Sequence, residues 1–169
     1  MKFNFIKKMD EYFEMLLEAF QNPVKINWVD KPNHLIGLFQ VGTNIYQIDC
    51  LEKGNNIWKY DFYFYKDKEM SPNMTNLESD KYKVLPTVKE GLYYLHTLKT
   101  PDAVVFGALD SSRGRKKLYE SFSKDFAKEK NYEFYTKVEN DKQIFVIYKD
   151  YIDKEYLFET IKKVVDEKF

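Results

Sequence analysis

Cysteine is nearly absent from this chain: Cys50 is the only one in 169 residues. One thiol cannot form an intramolecular disulfide, and with His34 and His96 as the only histidines a four-ligand Cys/His zinc site is excluded. Such usage belongs to a reducing compartment, so the expected location is the cytoplasm. An excess of one charge is lacking too, because 27 basic residues balance 27 acidic ones. That removes the long-range field of a non-specific nucleic-acid or anionic-membrane binder and leaves room only for a local basic patch. Glycine is scarce at six residues, and no Gly-x-x-x-x-Gly-Lys or Gly-x-Gly-x-x-Gly loop occurs, which argues against the common nucleotide cradles. The stretch up to Phe20 carries Lys7, Lys8, Asp10, Glu11, Glu14 and Glu18, too polar for a signal peptide or a membrane span.

Rings are what the chain has in quantity. Tyr and Phe each occur 14 times, aromatics reach 18%, and charged residues reach 32%. A ring-rich core under a charged surface follows, and a chain of this length buries roughly two thirds of its unfolded surface as one domain. No repeat, low-complexity tract or linker divides residues 1–169.

Periodicity supplies the elements. Met9, Phe13, Leu16, Leu17 and Phe20 recur at helical spacing before Asn22-Pro23 and predict an amphipathic helix that covers one face of a sheet. Four β-branched and aromatic runs follow, Val24–Asp30, Leu35–Val41, Ile45–Leu51 and Ile57–Lys66, joined by Gly/Asn/Pro turns as in an antiparallel meander. The polar stretch Asp67–Lys83 reads as a loop, and a helix is expected from Pro86 to Thr100-Pro101 on the stripe Val88, Leu92, Leu95 and Leu98. Ala103–Ala108 reads as a buried central strand, and a helix capped by Asp110-Ser111-Ser112 runs to about Lys130. Strands Tyr132–Val138 and Gln143–Lys149 and a last helix through Leu157, Ile161, Val164 and Val165 complete the order α-β-β-β-β-α-β-α-β-β-α. The fold class expected is α+β, a largely antiparallel sheet with helices on both faces.

Chemistry concentrates where the central strand meets its helix. Ser111, Ser112, Arg113 and Arg115 sit at a helix N-terminus, whose free N–H groups and partial positive charge favour an anion or an anionic cofactor. Arg113 and Arg115 are the only arginines, and their planar forks suit such a site better than lysine does. At 100° per residue Ser112, Arg115 and Tyr119 share an arc of roughly 60°. The competing reading is plain helix capping, with the cations solvated or paired to carboxylates. A third makes Arg113–Lys117 a nucleic-acid contact.

The order of elements, together with Ser112, Leu118-Tyr119-Glu120 and the hairpin Tyr132–Lys149, resembles the GNAT-type N-acetyltransferases. That resemblance implies a strand–helix–hairpin second half, acetyl-CoA as cofactor, and Tyr119 as the general acid that protonates the departing thiolate, a donation a phenol can make at neutral pH. The family grips the CoA pyrophosphate with an Arg/Gln-x-x-Gly-x-Gly/Ala loop before the preceding helix, whereas Asp67–Lys83 here holds no glycine and the first to follow is Gly91, inside the helix. The strand, the Ser-Arg-x-x-x-x-Leu-Tyr helix and the aromatic hairpin also resemble a set of small tailed-phage proteins. This implies a scaffold used without cofactor to bind a host or phage protein, for instance a component of a host defence system such as CRISPR, in the cytoplasm of the bacterial host.

Elsewhere His96 is expected to be a packed or boundary residue, His34 to face solvent, and Cys50 to be a buried, inert thiol. Asp49, Glu52, Asp61 and Asp67, spread over neighbouring strands, could converge on a metal or supply a general base, but the expectation is sheet-edge pairing with lysine. Tyrosines beyond the needs of one core, Tyr63, Tyr93, Tyr94, Tyr135 and Tyr151 among them, point to a protein partner or a homodimer. The expectation is a macromolecule-binding protein without catalysis, the alternatives being an acyl-CoA-dependent acyltransferase and a nucleic-acid binder.

Overall fold

The computed structural model describes residues 23–66, 69–71, 78–109, 113–139 and 142–166; the helix expected around Met9–Phe20 lies outside them. Strands β1 (Asn27–Lys31), β2 (His34–Val41), β3 (Asn44–Glu52) and β4 (Ile57–Lys66) form the antiparallel meander. Their turns fall where the backbone must enter the left-handed region: Gly42 has φ 60°, Gly54 107°, Asn55 49° and Asn56 59°. Trp58 Nε1 donates to Asn56 Oδ1 at 2.8 Å and fixes the last of these turns.

The expected loop is shorter than predicted. Glu69–Ser71 forms a short strand, β5, on β4, and helix α1 runs from Glu78 to Lys99 with Pro86 in its interior. An interior proline costs about 3 kcal/mol. Val84 and Leu85 just before it are buried, and each such side chain contributes about 1.5–3 kcal/mol, so their burial outweighs the break. Thr87, also buried, donates to Lys83 O at 2.6 Å and accepts the Val24 N–H at 3.0 Å, tying the chain entry to the helix.

Strand β6 (Ala103–Leu109), helix α2 (Arg113–Lys130), the hairpin β7 (Glu133–Glu139) and β8 (Lys142–Tyr148), and helix α3 (Lys154–Asp166) follow as expected. Thr100 (φ 42°) and Asn131 (φ 60°) close α1 and α2, and Asp153 caps α3 by accepting the Glu155 N–H at 3.0 Å. The sheet order is β1-β2-β3-β4-β6-β8-β7, antiparallel except where β4 and β6 run parallel. The fold is α+β, with helices on both faces of a largely antiparallel sheet.

Side chains alternate along each strand, so one sequence feeds two cores. Trp58, Tyr60, Val104, Phe106 and Phe145 face α1 and α2, while Ile57, Val105, Ile144 and Val146 face α3. Helix α3 contacts β4 and β6, and among the described residues no helix lies over the same face of β1, β2 and β3.

Candidate functional site

Of the residues expected to form a site at the end of β6, Ser111 and Ser112 lie outside the described residues, as do the side chains of Arg113 and Arg115, whose backbones open α2. Lys117 is exposed and Lys116 half-buried. Tyr119, one turn on, is 3% exposed and sits in the core. Its ring meets those of Phe122 at 5.3 Å, Phe106 at 5.9 Å, Phe145 at 6.1 Å and Phe62 at 6.2 Å between centroids, all edge to face.

The sheet explains why rings gather there. Strands β4 and β6 pair over three positions only, Ile57↔Ala103, Trp58↔Val104 and Lys59↔Val105. Beyond Lys59 the ladder stops, and two parallel strands that part leave a wedge between them. Rings close it on the side of α2: Tyr60 meets Phe106 at 6.3 Å across the gap, and Phe62 meets Tyr119. Tyr60 Oη donates to Val88 O at 2.5 Å, and burial pushes its ionisation well up.

On the opposite face the parting strands carry polar groups that the sequence does not place together. Asp49 on β3 stands directly across from Asp61 on β4. Asp61 accepts from Tyr63 Oη at 3.1 Å and lies 3.4 Å from Lys59 Nζ. His34, about one third exposed, is hydrogen-bonded to Asp49, and β2 and β3 in register bring the two together. Burial raises the Asp61 pKa above the ordinary carboxylate value, and Lys59 opposes that shift. Burial likewise raises the Tyr63 phenol. The alternation Lys59, Asp61, Tyr63 is legible along one strand, but their neighbours across β3 are not. Asp61 is a desolvated proton acceptor beside a donor, at the mouth of the wedge.

The remaining candidates divide. Glu52 accepts the Asn56 N–H at 3.1 Å and serves its turn, and Asp67 lies outside the described residues. Among the described residues no group of three or more His, Cys, Asp or Glu is arranged to hold a metal ion. Cys50 is fully buried, and burial raises its thiol well above the usual range, as for an inert core residue. His96 packs against Phe126 and Tyr132, and burial lowers its pKa, with Lys130 and Lys149 adding to the effect.

The tyrosines expected at an interface divide. Tyr132 is buried and donates to Pro101 O at 2.6 Å, and Tyr93 donates to Glu129 Oε2 at 2.7 Å. Tyr94, Tyr135 and Tyr151 are exposed.

Comparison with protein-family models, curated proteins and solved structures gave no match.

Two surface features complete the picture. A groove of about 410 Å³ runs between Pro23–Ile26 and the Glu90–Tyr94 turn of α1, beside Trp28, which stacks on Tyr94 at 4.4 Å. Val29, Leu38 and Ile45 are exposed on the face of β1, β2 and β3 that no described helix covers. No helix among the described residues is long and apolar enough to cross a membrane.

Proposed function

We propose that the chain is a macromolecule-binding protein on an acetyltransferase-like scaffold that works without turnover. The observation that carries this reading is the burial of Tyr119: the residue cast as general acid is walled by Phe62, Phe106, Phe122 and Phe145, which occupy the space beneath the parted strands. A phenol that protonates a leaving thiolate must reach it, and filling the wedge with rings serves packing instead. The succession of strand, helix and hairpin from β6 to β8 supports the scaffold part of the reading, and the exposed Val29, Leu38 and Ile45 on one face of β1, β2 and β3 support the binding part. The resemblance to small tailed-phage proteins directs the search for the partner to host proteins, components of a defence system such as CRISPR first.

Titration calorimetry with acetyl-CoA tests it. No heat is expected at any accessible concentration. Micromolar binding that disappears in Arg115→Ala overturns the reading.

A second reading, an acyl-CoA-dependent acyltransferase, is favoured by Asp61. A desolvated carboxylate at the mouth of the wedge suits a general base that takes a proton from an acceptor amine. In that case Asp61→Asn abolishes acetyl transfer to amines while acetyl-CoA binding persists.

A further inference from the structure

We propose that two copies of this chain join edge to edge along β7, antiparallel, with Tyr135 of each copy on the two-fold axis. Strand β7 ends the sheet order, so its outer edge has no strand beside it among the described residues. An open edge is a template for another strand, and proteins that stay single blunt it with charged side chains, lysine above all, with proline or with short length. Here the edge is seven residues long and carries no proline, its charges Glu133, Lys137 and Glu139 are of both signs, and apolar side chains are exposed on each of its faces: Val138, 59% exposed, on one, and Tyr135, 36%, beside Phe158, 46%, on the other. Phe158, from α3, lies edge to face on Tyr135 at 6.0 Å, so the apolar patch continues from the strand onto the helix.

Charge chooses a second copy as the occupant and fixes the register. With Tyr135 on the axis, Glu133 stands opposite the second copy's Lys137, and Lys137 opposite its Glu133, two opposite-charge pairs by symmetry. Phe134 then faces Thr136 of the second copy, and the two Tyr135–Phe158 pairs meet at the axis. The registers shifted toward Glu139 are worse. An axis at Thr136 sets Glu133 against Glu139 twice, and an axis at Lys137 sets two lysines face to face. Lys137, now 2.8 Å from Glu139 in its own strand, can reach both acids.

The other sheet edge offers no such match. On β1, an axis at Val29 places Trp28 against Asp30, whose carboxylate is already held by Lys99 at 2.6 Å, and Lys31 against Asn27. No charge pair forms across that edge.

Sedimentation equilibrium of the purified chain between about 1 and 100 µM tests the proposal, with circular dichroism to confirm that each variant folds. The expected result is a monomer–dimer equilibrium. Glu133→Lys and Lys137→Glu each turn both pairs into like-charge pairs and weaken association by about tenfold or more. Mixing the two single variants restores it, because each lysine then meets a glutamate, and so does the double variant Glu133→Lys/Lys137→Glu. A wild-type chain that stays monomeric at 100 µM overturns the proposal. So does association that neither single variant weakens, or that the mixture fails to restore.

Discussion

Asp49 and Asp61 stand directly opposite one another on β3 and β4, two carboxylates in one cross-strand pair. Like charges so placed are destabilising, and the pair persists because His34 binds Asp49 while Lys59 and Tyr63 attend Asp61. Burial raises the Asp61 pKa, so folding favours its protonated form. A carboxyl raised in this way contributes its full stability below the unfolded value of about 4 and loses it as pH rises through the folded value. Asp61→Asn is therefore expected to gain on the wild type in urea unfolding as pH climbs from about 4 to neutrality. A stability difference that stays constant with pH counts against this account.

Gly91 shows what close approach demands. A Cβ there would lie 2.5 Å from Tyr60 Oη and 2.7 Å from Ile48 Cδ1, both in the core, and Tyr60 Oη is fixed on Val88 O. Gly91→Ala is expected to cost about 2–3 kcal/mol through overpacking. Gly42 has open space around it but a φ of 60°, so Gly42→Ala is expected to cost only about 1–2 kcal/mol. Thermal melts of the two variants check the order.

Lys149 links a helix end to a histidine. Its Nζ donates to Lys130 O at 2.9 Å and Asn131 O at 3.3 Å and lies 3.9 Å over the Tyr132 ring. Removing it in Lys149→Met is expected to cost about 1–2 kcal/mol. His96, whose pKa is lowered by burial and by Lys130 and Lys149, then titrates higher than in the wild type by NMR. The sign for stability is also fixed: the unfolded imidazole takes its proton first, so stability falls as pH drops below about 6.5. His96→Phe should flatten that fall.

Because Tyr119 is a core ring, its ring carries more of its contribution than its hydroxyl does. Tyr119→Phe is expected to cost about 1 kcal/mol and Tyr119→Ala about 3–5 kcal/mol in denaturant unfolding. Equal small losses in both variants would mean that the ring is not packed as described.

Much of this architecture is legible in the sequence because it rests on short-range rules. Alternation in Ile57–Lys66 predicts a strand covered on both faces, and Trp58 and Ile57 do bury on opposite sides. Gly54-Asn55-Asn56 predicts its turn. Pro86 misleads, since a proline that reads as a helix start sits inside α1, where the buried Val84 and Leu85 outweigh it. The Asp49–Asp61 pair is illegible for a different reason: it depends on register across a hairpin, and no local pattern fixes which carboxylate faces which. Tyr119 can be placed on the inward stripe of its helix, yet three of the four rings that wall it, Phe62, Phe106 and Phe145, come from three other elements and the parting of two strands.

The uneven cover of the sheet should also set where the protein breathes. Strands β6 and β8 are clothed by α2 on one side and α3 on the other, whereas no described helix covers one face of β1, β2 and β3. Amide hydrogen exchange reports such differences as local opening free energies. The amides of β1 should exchange fastest, those of Val104–Phe106 and Ile144–Ile147 slowest, so that opening begins at one rim of the sheet and spares the strands buried between helices.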